Sequence, residues 1–152
     1  MLELIKRRRS VRQYTSEDVS DEQVRQILEA AMAAPSGSNL QPWRFVVVRR
    51  PDLRKALAKV HEWAFMAERA PVVIVVCSDR AVSPRHWIED ACAATENMLL
   101  QATSLGLGTC WIACYPEEER QSKVRQILSI PESLGVVCMV AVGHPASVPP
   151  PR

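Results

Sequence analysis

The run PVVIVVC, residues 71–77, constrains the fold more than any other stretch. It is almost wholly β-branched, and apolar at odd and even positions alike. Side chains of a strand alternate between its two faces, so this strand is apolar on both and belongs at the centre of a covered sheet. Three more strands are predicted around it: RFVVVR (44–49), GTCWIAC (108–114) and VVCMVAVG (136–143).

Helices are predicted between and before these strands. In SDEQVRQILEAAMAA, Ser20 and Gln23 have capping-box spacing. Val24, Ile27, Leu28 and Ala31 follow the i, i+3, i+4, i+7 pattern of one buried face. Pro35 stops that helix. Residues 2–9 read as a short helix. Pro51 opens another through about 60, with Leu53, Leu57 and Val60 on one face. Residues 84–105 form a long helix, apolar on most sides, ending at Gly106. Pro116 and three glutamates, Glu117 to Glu119, open a helix to about 128, acids set against the positive end of its dipole. The tail HPASVPPPR reads as extended. Helices and strands interleave, which implies one layered domain, 1–152, with helices on a sheet. Pure βαβ repetition is not expected, because two helices precede the first strand.

Composition excludes some functions. A net charge of +2 argues against bulk binding of nucleic acid or membrane surfaces. No apolar stretch is long enough to span a bilayer. The basic KRRRS is followed by polar residues, not by the apolar core of a secretory signal. Five cysteines, odd in number and mostly within apolar runs, read as reduced thiols of a cytoplasmic protein. Cys110 and Cys114 lack zinc spacing. His61, His86 and His144 share no metal spacing, and no phosphate-loop or nucleophile-elbow motif occurs.

Four stretches could carry chemistry. In RRRSVR (7–12), an extended backbone would send Arg8, Ser10 and Arg12 to one side, a donor set suited to a phosphate; a solvated basic surface is the plainer alternative. APSGSNLQPWRF (34–45) is a helix stop by its Pro35 and Gly37. Its Ser36, Ser38, Asn39 and Gln41 could also face a heteroaromatic ring edge. LGLGTCWIAC (105–114) lacks the dinucleotide fingerprint, yet its strand end could offer backbone N–H groups to a cofactor. Arg152, after three prolines, could fold back to the basic cluster or lie free.

Taken in order, RRRSVRQY, APSGSNLQPWRF, PVVIVVCSD, DACAATENMLLQATSLGLGTCWIA and ILSIPESLGVVCMVAVGHP resemble the FMN-dependent nitroreductase family along nearly the whole chain. The resemblance implies an α+β, three-layer fold: a central mixed or antiparallel sheet flanked by helices, in an intertwined homodimer with FMN at the subunit interface. By position, Arg8, Arg9, Ser10 and Arg12 would hold the FMN phosphate and ribityl chain. Pro35, Ser36, Ser38, Asn39 and Gln41 would reach the partner's flavin. Trp111, Ile112 and Ala113 would pass the isoalloxazine ring, and Arg152 would complete the phosphate site. The family's chemistry is carried by the flavin, with no catalytic side chain: NADH or NADPH gives hydride to N5, and a small acceptor then takes the electrons in ping-pong exchange.

Three departures from the family stand out. Ala113 occupies a position that is often glycine, and alanine would be costly at positive φ. The segment HEWAFMAER (61–69) is short where many members carry a lid. The chain stops where many continue into an arm around the partner. Ala113 and the short segment leave a flavin-binding module without turnover as an alternative, and an α/β interaction protein whose basic N-terminus is only surface is a third reading.

Overall fold

The computed structural model describes residues 1–151. Four strands form one sheet: β1 (Trp43–Val48), β2 (Val72–Asp79), β3 (Gly108–Ala113) and β4 (Leu134–Gly143). Their order is β1-β2-β4-β3, and every pairing is antiparallel. The sequence left mixed or antiparallel open, and the antiparallel form holds. PVVIVVC is the core of β2, central and buried from Val72 to Ser78.

Alternation along β2 builds two cores. Val72, Ile74 and Val76 face α2 (Asp21–Met32) and α5 (Trp87–Ser104). Val73, Val75 and Cys77 face α3 (Pro51–Leu57), α4 (Met66–Arg69) and α6 (Glu118–Leu128). A bulge between Val76 and Cys77 changes the register on β4. Cys138, Val140 and Val142 therefore share the α2/α5 side with Val137, whereas Val136 lies on the other. An extra residue on one strand reverses the parity of everything beyond it.

The helices begin and end for the expected reasons. Ser20 accepts from the Gln23 N–H, and the Gln23 side chain accepts from the Ser20 N–H, which completes the box. Ile27 and Ala31 are fully buried beneath α2. Gly106, at φ 76°, follows the end of α5. The first helix is shorter than expected: α1 spans Leu2–Arg7. Likewise α3 stops at Leu57, and Val60 is buried from a turn beyond it. Pro116 lies in the turn before α6, which opens at Glu118.

Candidate functional site

The basic N-terminal segment is fixed to the edge of the sheet. The Val11 N–H donates to the Thr109 carbonyl at 2.8 Å, and Ser10 forms a parallel bridge with Thr109. Val11 is buried over Gly108, where a Cβ would stand 2.8 Å from the Val11 side chain. Glycine at 108 is what permits this approach. The Tyr14 hydroxyl donates to the Val11 carbonyl at 2.7 Å. Burial raises its pKa above the ordinary phenol value, so it stays a protonated donor. The Thr15 N–H then donates to the His144 carbonyl at 2.9 Å, tying the segment to the exit of β4.

Alternation along this segment divides the arginines. Arg9 and Val11 border a small cleft with Arg7, Gly106 and Pro145. Arg12 borders a different cleft, of about 270 Å³, walled by Trp111, Ile112 and Ala113 of β3. Arg8 turns to α5, where its Nε lies 3.9 Å from a carboxylate oxygen of Glu96. Of the three residues expected on a common side, Arg8 and Arg12 thus have different surroundings, Glu96 of α5 and the cleft at β3. Arg152 lies outside the described residues.

Sequence reading missed the far wall of the Arg12 cleft. His61, Trp63 and Phe65 reach it from the segment before β2, and Arg120 from the first turn of α6. Trp63 is 66% exposed, a large aromatic left in solvent. Two aromatics two residues apart in a short polar segment were the available signal. His61 Nδ1 accepts the Trp63 N–H at 3.2 Å. Burial, and next the nearby Arg120 charge, lower the His61 pKa, so its neutral form is favoured. The Arg120 guanidinium donates to the Ala113 carbonyl at 3.4 Å. Ala113 itself has ordinary strand geometry, with no positive φ. Alanine at this position therefore costs no backbone strain.

The segment after α2 has a different character. Ser38, Asn39 and Gln41 have φ of 51°, 56° and 49°. Non-glycine residues held in this region cost roughly 1–3 kcal/mol each. The loop braces itself: the Asn39 N–H donates to the Ser36 carbonyl at 2.9 Å, and the Gln41 N–H to Ser36 Oγ at 3.0 Å. Gln41 Nε2 also donates to Asn39 Oδ1 at 3.1 Å. From outside, Asp90 Oδ1 accepts the Gly37 N–H at 2.8 Å. Gly37 and Ser38 border a third cleft, of about 300 Å³, with Ser83, Arg85 and His86. This cleft shares no lining residue with that of Arg12. Within one chain, the two polar motifs do not meet.

The thiols are poor nucleophiles. All five cysteines are free, and burial pushes Cys77 and Cys114 up to about 12 and Cys138 well above its usual value. Among the described residues no group of three His, Cys, Asp or Glu side chains could hold a metal. No described helix is long and apolar enough to cross a membrane.

An antiparallel sheet between two helical layers, with an edge-strand cleft bordered by Arg12, Arg120 and aromatic side chains, makes this an α+β protein. Its sequence matches the model of the nitroreductase family over residues 5–65 and 58–144. The chain belongs to the nitroreductase family. A protein of Archaeoglobus fulgidus, provisionally named an NADH dehydrogenase/NAD(P)H nitroreductase, is 43% identical over 95% of this chain and 84% of its own length. The solved structure of an FMN-dependent nitroreductase from Clostridium difficile superposes with a TM-score of 0.95 at 31% identity, covering 100% of this chain and 91% of that one. A structure from Desulfovibrio desulfuricans, solved in complex with FMN, gives a TM-score of 0.86 at 38% identity, covering 99% of this chain and 90% of that one.

Proposed function

We propose that this protein is an FMN-dependent oxidoreductase that uses NADH or NADPH to reduce a small acceptor, a nitroaromatic, quinone or similar compound. The observation that carries the reading is the pairing of an arginine-bearing cleft with a strained polar loop that borders a separate cleft of the same chain. Two copies in a homodimer would join the halves. Leu2 and Ile5 of α1, Met32 of α2 and Leu40 of the loop are exposed apolar side chains suited to such an association.

The residues fit the cofactor chemically. Arg12 brings a fixed positive charge to the cleft beside Trp111, Ile112 and Ala113. Charge-assisted donors suit an electron-rich ring edge, and an apolar wall suits its face. Arg8, Arg9 and Ser10, on the same segment, would add donors for the phosphate and ribityl chain, with Arg152 as the proposed fourth member. From the partner, Pro35, Ser36, Ser38, Asn39 and Gln41 would face the ring. Bound there, FMN supplies hydride exchange at N5 between NAD(P)H and the acceptor. The chain's own work is to orient the ring, hold positive charge beside it and restrict water. Neutral His61 and the aromatic pair Trp63 and Phe65 would form the acceptor's side of the cleft.

Purified protein should be yellow or become so with added FMN. NADH or NADPH should bleach it, and an acceptor should restore the colour. A protein that stays colourless with FMN would sink the reading. One that binds FMN but is bleached by neither nucleotide would be a flavin-binding module instead. Sharing of the site is checked with mixed dimers of Arg12→Ala and Asn39→Ala chains, which should regain one intact site per dimer.

A further inference from the structure

Asp90 lies in the first turn of α5, where an acid suits the helix dipole and is ordinarily solvated. Here it is only 4% exposed. Both carboxylate oxygens are committed: Oδ1 accepts the Gly37 N–H at 2.8 Å, and Oδ2 accepts the Ser83 hydroxyl at 2.9 Å. Ser83, itself 1% exposed, belongs to the turn that precedes α5. One buried carboxylate therefore joins the start of α5, the turn before it and the loop after α2. Among the described residues it is the side chain from outside the loop that bonds the loop backbone between Ser36 and Gln41.

That anchor falls just ahead of the strained residues. Ser38, Asn39 and Gln41 hold left-handed conformations that a free loop would leave. Gly37 is packed against His86, whose Cδ2 would lie 2.8 Å from any Cβ there. The loop is thus set in place by a packed contact and a charge-assisted bond, both from α5 and its entry.

We infer that Asp90 is a positioning residue for the flavin reaction: through Gly37 it holds Ser38, Asn39 and Gln41 in the conformation that serves the partner's flavin. The inference rests on the shared-site reading above. It assigns Asp90 a role in cofactor affinity and turnover although Asp90 touches neither cofactor nor substrate.

The test uses the full chain reconstituted with FMN, with Asp90→Ala, Asp90→Asn and Ser83→Ala compared for FMN affinity, turnover and apoprotein melting. Asp90→Ala is expected to weaken FMN binding at least tenfold. Asp90→Asn, which can still accept from Gly37 and donate to Ser83, should stay within about threefold of the parent. Ser83→Ala should weaken binding two- to fivefold, and it carries the test should Asp90→Ala not fold. Unchanged FMN affinity and turnover in Asp90→Ala or, in its place, Ser83→Ala would overturn the inference. So would equal losses in Asp90→Asn and Asp90→Ala, which would mark the charge rather than the loop geometry. Mixed dimers of Asp90→Ala with Arg12→Ala chains give a second readout. If Asp90 serves the partner's flavin, such dimers regain one competent site; if they regain none while Arg12→Ala with Asn39→Ala does, Asp90 acts elsewhere. If wild-type protein takes up no FMN, it is the flavin reading itself that fails.

Discussion

The two halves of the proposed site are held in opposite ways. The basic segment lies in extended backbone against β3, bonded at Thr109 and packed over Gly108. The loop after α2 bends through three left-handed residues and depends on Ser36 within it and Asp90 beneath it. One half is an extension of the sheet and gains its order from the same ladder. The other is a shaped turn whose order must be imposed against local preference. Strain is concentrated in the loop, with none at Ala113.

Substitutions can sharpen or break this contrast. Arg12→Ala should give the largest effect, since a hydrogen bond to a charged group contributes about 1.5–3 kcal/mol, roughly ten- to hundredfold in FMN affinity, read by fluorescence titration. Apoprotein melting should hardly move, because Arg12 is an exposed side chain that forms no ion pair among the described residues. Unchanged FMN affinity would remove Arg12 from the site. Ser36→Ala should cost about 1 kcal/mol, because the Gln41 N–H loses its acceptor. That loss should show in FMN affinity more than in melting temperature, while equal loss in both would mean that the loop is only structural.

Two smaller effects probe strain and charge. Ser38→Gly relieves a left-handed serine, so apoprotein stability should hold or rise by up to about 1 kcal/mol. Ala113→Gly, in ordinary strand geometry, should instead lose about 0.5–1 kcal/mol. If both glycines act alike in chemical denaturation, the contrast in strain is wrong. The smallest effect concerns pH. The folded His61 pKa is lowered from its usual 6.5, chiefly by burial. Folding therefore favours neutral His61, a contribution present above pH 6.5 and lost as pH falls through the lower folded value. His61→Gln should flatten stability below pH 6.5, and an unchanged pH profile would show that burial at His61 has no energetic consequence.

Much of the layered fold was legible. Capping at Ser20 and Gln23, the stop at Gly106 and the two-faced apolar run of β2 are local signals, and each acts as expected. The bulge opposite Cys77 was not legible, since nothing in VVCMVAVG marks which valine is the extra residue. Locally, Asp90 carries no signal beyond that of an acid near a helix start. Its spacing gave a better clue: Ala94, Met98 and Ala102 lie four, eight and twelve residues on, and all are buried. His61, Trp63 and Phe65 share one short segment, but Arg120 comes from α6, and no spacing in the chain links the two.

The sequence by itself determined the secondary elements, the sheet-and-helix layering and the family, because these follow from periodicity, caps and ordered motifs that neighbouring residues carry. Only the tertiary structure decided that Arg8 turns to Glu96 while Arg12 faces the cleft, that Asp90 is buried beneath the loop, and that the two polar motifs occupy different clefts. Asp90 lies in the first turn of α5 and Arg9 borders a cleft with Gly106 just beyond its end, so the helix from Asp90 to Ser104, about 21 Å at 1.5 Å per residue, separates the loop's anchor from that cleft. A rigid helix fixes that distance, and no reading of either motif alone contains it.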